Sequence, residues 1–360
     1  MNLSIVLFLA ATAALLILPL IPSLLELRNG VDSDAIAVSG SSRNDTRHFA
    51  TSFRELVETQ LQAALWPAME SGQVVEGATD RGDRYVVVPG EFPFEPHQSE
   101  KKEVDRILAS ANDLQLPDQI SLKRECYAAG SIRGGRGSRY RAAYADVDVR
   151  LAQDSCVERW VHAERDLHVH EATRLYGRAS AGRSIQIHGA CGFQRMRAPS
   201  IEIGSRLYDE TWRAGRIELT ELVPQSLSNA VDFSAGRTLI EGDCELSRDR
   251  RFPSSLVVHG TLRVRQGTHI EGSVKAHGNI ILEHGVRIDG SVVAHGDINV
   301  GAGCRIEGPV LSEAELKVGE RTQIGDGLRL SSVQAKAIEI SQGCLIHGMI
   351  WASDTGKVLS

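Results

Sequence analysis

An 18-residue repeat in the C-terminal third restricts the fold of this chain more than any other feature of its sequence. Four short aliphatic runs recur at that interval, beginning at Gly260, Gly278, Gly296 and Ala314. A second aliphatic position recurs in step with them, at Ile270, Ile288, Ile306 and Ile324. A period of this size is typical of a solenoid, whose stacked turns bury a continuous interior that no single turn could bury alone.

A weaker form of the same pattern lies upstream. Short aliphatic pairs begin at Leu167, Ile185, Ile201 and Ile217, at intervals of 18, 16 and 16 residues. Residues 220–234 interrupt the pattern between the two blocks. Within each turn, alternation such as Leu262-x-Val264 points two side chains inward and the middle one outward. The sequence therefore predicts a mainly β fold, a single-stranded parallel β-helix solenoid.

Composition agrees with thin repeated layers and weighs against a conventional globule. Only 5% of the residues are aromatic, whereas 34 are glycine and 42% are hydrophobic. The formal net charge is −6, so no basic excess favours a nucleic-acid partner, and we expect none. The six cysteines form no CxxC motif, and Cys244, Cys304 and Cys344 fall in interior columns, so we expect free core thiols.

The N-terminal segment predicts a membrane anchor. Residues 1–25 contain no charged side chain, and residues 3–25 would form a helix of about 34 Å, enough to span a bilayer. The alternative, a cleaved signal peptide, needs a basic start and a small-residue cleavage site, which are missing. Three arginines follow the span, at Arg28, Arg43 and Arg47. They favour a single-pass protein whose solenoid lies in the cytoplasm.

The segment between anchor and repeat predicts a small mixed α/β juxtamembrane region. An apolar stripe from Phe49 to Leu65 predicts a helix that ends at Pro67 and packs on the domain behind it or lies on the membrane. A second short helix is expected at about 100–111. The predicted segments are an anchor (1–27), a linker with juxtamembrane helices (28–115), degenerate β-helix turns (116–234), the regular β-helix (235–352) and a tail (353–360).

The regular block, from about residue 238 to 350, resembles the bactofilins, the bacterial polymer-forming cytoskeletal proteins. The matching features are the Leu239-Ile-Glu-Gly-Asp243 run, the His-Gly steps at Gly260, Gly278 and Gly296, and the repeated Ile-(Glu/Asp)-Gly-(Ser/Pro)-Val steps. The resemblance implies a right-handed triangular β-helix that assembles end to end and scaffolds envelope or cell-shape machinery. With the predicted anchor, it places the protein at the bacterial inner membrane.

Two groups of residues are candidate sites. Met349, Ile350 and Trp351 finish the repeat with little chain to cover them, so they are either a cap or an assembly contact for self-association or protein partners. His259, His277 and His295 recur every 18 residues and form an outer column, which is either a solvated ladder or a metal- or pH-responsive site. A second outer column holds Glu271, Asp289 and Glu307, for which nearby arginines are the simplest partners.

The sequence favours a structural scaffold that is not an enzyme, because it carries no nucleophile motif, HExxH or phosphate-binding loop. No catalytic, cofactor-binding or metal-ligating residue is assigned. Two alternatives stay open. A left-handed hexapeptide acyltransferase also has 18-residue turns, and aliphatic residues recur every six from Val264 to Ile306. A polysaccharide-binding β-helix would need an aromatic or acidic groove, and aromatic residues are scarce in the regular block.

Overall fold

The computed structural model describes residues 46–91, 102–204, 223–224, 230–232 and 236–360. They form a β-solenoid of about 13 turns, with a helical segment packed against its side. The β-helix predicted from the repeat is therefore confirmed. Three strands build each turn of the regular block, one on each of three faces.

The predicted fold class needs one correction, which concerns its transmembrane helix. No helix formed by the described residues is both long and apolar enough to cross a membrane. The fold is therefore a β-solenoid without the membrane-spanning element that the N-terminal hydropathy had predicted. The predicted span at 3–25 and the linker that follows it, to residue 45, lie outside the described residues.

The helical segment runs without a break from His48 to Ser71. It consists of α1 (His48–Leu56), a π-helical turn (Val57–Leu61) and α2 (Gln62–Ser71). Gly72 ends it in the left-handed region with φ 66°, a conformation that glycine adopts without a Cβ clash. The predicted helix is confirmed, but Pro67 lies inside it and does not end it.

Fourteen strands make up the upstream stack. They are Val75–Ala78 (β1), Arg84–Val88 (β2), Glu103–Val104 (β3), Ile107–Ser110 (β4), Leu114–Gln115 (β5), Ser121–Ala128 (β6), Ile132–Arg133 (β7), Arg139–Ala145 (β8), Val149–Leu151 (β9), Cys156–Ala163 (β10), Asp166–Val169 (β11), Arg174–Ala181 (β12), Ser184–Ile187 (β13) and Cys191–Ile203 (β14). Strands β3 and β4 replace the helix predicted at about 100–111, which is wrong. Their side chains Val104, Ile107 and Leu108 are buried by stacking against neighbouring turns.

Nineteen further strands make up the downstream stack. They are Val223–Pro224 (β15), Ala230–Asp232 (β16), Arg237–Ile240 (β17), Cys244–Leu246 (β18), Arg250–Phe252 (β19), Ser255–Val258 (β20), Leu262–Val264 (β21), His269–Ile270 (β22), Val274–Ala276 (β23), Ile280–Leu282 (β24), Arg287–Ile288 (β25), Val292–Ala294 (β26), Ile298–Val300 (β27), Arg305–Ile306 (β28), Val310–Ser312 (β29), Glu315–Val318 (β30), Gln323–Ile324 (β31), Ser331–Ile340 (β32) and Leu345–Val358 (β33). The predicted tail at 353–360 is thus mostly strand.

Residues 18 apart pair directly in the regular block. Leu262 on β21 pairs with Ile280 on β24, which pairs with Ile298 on β27, and all three side chains are fully buried. The residues between the inward positions point outward, as the alternation predicted. Parallel pairing from turn to turn satisfies the backbone while stacked aliphatic columns form one continuous core.

The upstream stack buries both surfaces of one of its faces. Its inner side belongs to the solenoid core, and its outer side is covered by α1 and α2. Phe53, Val57 and Leu61 of the helical segment pack in one cluster with Ala109 and Trp160 of the face. This contact confirms the packing alternative for the helix. It also explains why β4 and the C-terminal half of β8 are buried at every position.

The two stacks meet through their C-terminal ends. Strand β14, in the last upstream turn, pairs antiparallel with β33, in the last downstream turn, so that Met196 lies opposite Ile350. Gly348 lies in this seam with φ 121°, where a Cβ would come within 2.1 Å of the carbonyl oxygen of Ser331. The sequence had suggested stacking of the upstream turns on the first regular turn. The structure places them against the last one.

The outer end of each stack carries an antiparallel strand. At the upstream end β1 pairs antiparallel with β2, and at the downstream end β16 pairs antiparallel with β17. A strand added in the antiparallel sense does not continue the parallel winding. Both ends are therefore covered on one face by a strand that interrupts the solenoid repeat.

We predict that cysteines at Arg197 and Met349, which pair across the seam, form an intramolecular disulfide. Directly opposed residues on antiparallel strands have Cβ atoms about 4.5–5.5 Å apart, close to what a disulfide requires. After mild oxidation, the R197C/M349C variant should migrate faster than its reduced form in a denaturing gel.

The matched control is R197C/V257C. Val257 points outward on β20, near the beginning of the regular block, where the sequence pattern alone would have placed the upstream stack. This pair should stay reduced under the same oxidation. Cross-linking of the control without cross-linking of the test pair would refute the antiparallel seam.

Candidate functional site

A cavity of about 400 Å³ opens on the outer face of the solenoid at the seam between the stacks. It lies beside the first turn of α1. Its walls come from α1, from three successive upstream strands and from β33. The lining residues are Phe49, Arg159, Trp160, Gly177, Arg178, Gln194, Arg195, Trp351, Ala352 and Ser353. Three of them carry guanidinium groups, three are aromatic and none is acidic.

A four-residue column crosses the wall of the cavity. Trp160 on β10 pairs with Arg178 on β12, Arg178 pairs with Arg195 on β14, and Arg195 pairs with Trp351 on β33. Two arginines thus stand directly opposite each other, with a tryptophan on either side. Like charges in this position destabilise a sheet, whereas most outward columns of this protein alternate or pair opposite charges.

Aromatic rings hold the two arginines of the column in place. The Arg195 Cζ atom lies 4.0 Å from the centroid of the Trp351 ring, and the Arg178 Cζ atom lies 4.8 Å from that of Phe49. Partial burial and the neighbouring charge of Arg178 lower the pKa of Arg195. A guanidinium stacked on a ring keeps its N–H donors in its own plane, where they can still reach an anion.

The backbone beside the column is irregular, and this irregularity shapes the cavity. The pairing of β10 and β12 with their neighbours shifts register just before Trp160 and Arg178. Gly177 occupies the shifted position on β12, where a Cβ would come within 1.8 Å of the Arg159 carbonyl oxygen. Only glycine permits this close approach of two backbones, so the cavity floor depends on it.

Sequence reasoning missed this cavity. A periodic signal did exist, because Arg178 follows Trp160 by 18 residues and Arg195 follows Arg178 by 17. Trp351, however, joins the column only through the antiparallel seam, and no local spacing indicates that pairing.

A polar network lies beneath α1, next to the cavity. Tyr144 donates a hydrogen bond to Glu164 Oε1 at 2.5 Å, and Arg54 of α1 reaches both, at 3.1 Å from the tyrosine oxygen and 3.2 Å from the carboxylate. Tyr127 likewise donates to Asp146 at 2.6 Å. The network attaches the helical segment to the solenoid by directional contacts in addition to apolar packing.

His162 is a buried titratable group in the same network. Its Nδ1 atom lies 2.8 Å from the Ser180 hydroxyl, and its Nε2 atom lies 3.4 Å from Glu164. Burial lowers the pKa of His162 and outweighs the opposing effect of Glu164. The pKa of Glu164 is also lowered: although burial opposes ionisation, the hydrogen bond from Tyr144 and the charges of His162 and Arg54 favour the carboxylate.

The predicted histidine column exists as a stack of rings. His259 and His277 have ring centroids 4.8 Å apart, and those of His277 and His295 are 5.0 Å apart. Glu241, one turn before the column, lies 2.8 Å from His259 Nδ1. Stacked parallel rings do not converge their nitrogens on one point. Among the residues that the structure describes, no group of three or more His, Cys, Asp or Glu side chains is placed to hold a metal ion.

A second group of histidines lies on the upstream stack. His188 stacks on His168 and His170, with ring centroids 5.8 and 4.9 Å away. Burial lowers the pKa of both His168 and His188. The sequence had indicated only the pair His168 and His170, because His188 joins them from the next turn.

The predicted acidic column is neutralised by basic side chains. Arg287 contacts both Asp289, at 2.8 Å, and Glu307, at 3.2 Å, and Glu271 accepts hydrogen bonds from Arg251. His269 adds a contact of 2.9 Å to Asp289. Arginine partners were the expected explanation for this column, and Arg287 is one of those predicted.

The residues predicted as an assembly contact lie in the seam within one chain. Met349 pairs with Arg197, Ile350 with Met196, and Trp351 with Arg195. The last turn, which the sequence suggested was nearly uncovered, is thus covered by β14. An intermolecular contact at these three residues stays a prediction. The six cysteines are buried and free, as expected, and burial raises the pKa of Cys191 and Cys344 to about 12.

Comparison with known proteins gives no relative for this chain. No protein-family model, no curated protein and no solved structure matches it. The resemblance of the regular block to bactofilins therefore rests on the residues quoted for it.

We predict that acidification from pH 7.5 to 5.5 lowers the free energy of unfolding, partly through His162. Its pKa is lowered in the folded state, so below about pH 6.5 the unfolded chain binds a proton that the folded chain resists. Stability is thus retained above that pH and lost below it. His162→Gln should reduce this loss, as measured by urea unfolding at several pH values, with His284→Gln as the exposed control. An unchanged pH dependence in His162→Gln would contradict this assignment.

Proposed function

We propose that this protein is a non-catalytic scaffold: a closed solenoid rod that presents its sides to partners. The observation that carries the proposal is the arrangement of the four stack ends. The two C-terminal ends are joined to each other by β14 and β33, and the two outer ends carry the antiparallel strands β1 and β16.

Backbone pairing is the reason that these ends matter. An uncovered end of a parallel solenoid offers a row of unpaired N–H and C=O groups, which invites another chain to add to it. In this protein each C-terminal end already has a partner within the chain. The resemblance to bactofilins supports a scaffold, but the covered ends oppose its further implication of end-to-end polymers.

A side-presenting rod has a large, regular surface available for partners. About 13 turns at a spacing of ~4.8 Å give a length of roughly 60 Å. Outward positions recur at fixed intervals along that length, as the column of His259, His277 and His295 illustrates. Such quasi-one-dimensional surfaces bind extended partners without requiring a deep active site.

We predict that residues 46–360 exist as discrete single-chain rods. Light scattering after size exclusion should give the mass of one chain over a wide concentration range, and negative-stain images should show particles about 60 Å long. Filaments, or steady growth of mass with concentration, would overturn the closed-rod proposal in favour of a polymer.

A proline at Glu76 provides a sharper test of the cap. Glu76 pairs with Val86 in the β1–β2 hairpin, and its side chain is exposed, so Glu76→Pro disturbs the edge strand with little loss of packing. The variant should self-associate more than the parent chain. Glu70→Gln, an exposed change in α2, is the control.

A further inference from the structure

We propose that the cavity at the seam binds a small organic anion, in which a phosphate or carboxylate group is attached to a ring. The proposal concerns ligand binding and holds whether or not the rod also serves as a scaffold. It rests on three features of the cavity: its charge, its aromatic walls and its place between elements of distant sequence.

The charge of the cavity points to an anion. Arg159, Arg178 and Arg195 line it, and no acidic residue does. Arg178 and Arg195 are direct cross-strand neighbours, an arrangement that is repulsive unless negative charge lies close to it. An anion between these guanidinium groups would relieve the repulsion and accept their hydrogen bonds, whose planar geometry matches carboxylate and phosphate oxygens.

The guanidinium groups are held ready for such a ligand. Arg195 stacks on Trp351 and Arg178 on Phe49, so both side chains are ordered by ring contacts that leave their in-plane donors available. A long side chain that is already positioned loses less conformational entropy on binding than one that must be ordered by the ligand.

The walls point to a ligand larger than an inorganic ion. A volume of about 400 Å³ is several times what phosphate alone requires, and it falls in the range of small-molecule sites. Trp160, Trp351 and Phe49 provide apolar surface that a ring can contact while its anionic group lies against the arginines. A sugar acid, a sugar phosphate and a nucleotide share this chemistry.

Calorimetric titration of the full chain tests the proposal. The probes are glucuronate, glucose 6-phosphate, adenosine monophosphate, inorganic phosphate and neutral glucose. We expect at least one ring-bearing anion to bind at least tenfold more tightly than both inorganic phosphate and glucose. A preference between the sugar and nucleotide probes identifies the source of the ring. Equal binding of glucose, or of inorganic phosphate, would overturn the proposal, as would binding of none of the probes at millimolar concentration.

Variants locate the binding in the cavity. Arg195→Gln and the more exposed Arg159→Gln should each weaken the ring-bearing anion at least tenfold, whereas Arg195→Lys should weaken it less. Trp351→Leu should weaken the ring-bearing anion and leave the weak binding of inorganic phosphate unchanged. Arg263→Gln, an outward arginine on β21 far from the seam, is the matched control and should bind like the parent chain.

A stability measurement separates binding from folding. Removing one of two opposed charges should leave the urea midpoint of unliganded Arg195→Gln unchanged or raise it, because repulsion is relieved. A folded Arg195→Gln variant with unaltered affinity would refute the site. If that variant is too unstable to assay, unaltered affinity in Arg159→Gln, whose side chain is exposed, is decisive in the same way.

Discussion

The pairing of strand edges is the constraint on which the rest of this structure depends. A parallel solenoid satisfies its backbone turn by turn, but its first and last turns have no neighbour, and the unpaired groups there must find another partner. This chain resolves the problem within itself. Two stacks wind toward each other, β14 and β33 close the C-terminal edges in antiparallel register, and short antiparallel strands cover the outer ends.

The seam has a chemical consequence as well as a structural one. Pairing in the antiparallel sense brings Trp351 opposite Arg195, although the two are far apart in sequence. The helical segment α1 then covers the upstream face only as far as Phe49, so the face beyond it stays open. The cavity lies where the cover of the helix ends and the seam begins, and neither stack would form it alone.

The regular block was the most predictable part of the fold. Its 18-residue spacing fixed the pairing of Leu262 with Ile280 and the outward stacking of His277, because identical turns leave one register. The upstream stack was harder to predict, since its turns shift register near Trp160 and Arg178 and carry a second buried surface under α1. Residues 103–110 suggested a helix because burial on both surfaces removes the alternation by which strands are recognised. The seam left no local signal, because antiparallel contact between two distant edges has no sequence period.

The column through the seam shows how closely stability and binding are linked in this region. Opposed arginines cost a sheet roughly 0.2–1 kcal/mol, whereas a guanidinium on an indole ring returns about 0.5–2 kcal/mol. Arg195 makes both contacts, with Arg178 in its own stack and with Trp351 across the seam. The ring contact therefore offsets the repulsion and couples the two stacks at the same point. Since the favourable contact crosses the seam, a change in Trp351 disturbs the junction, whereas a change in Arg159 affects only the cavity.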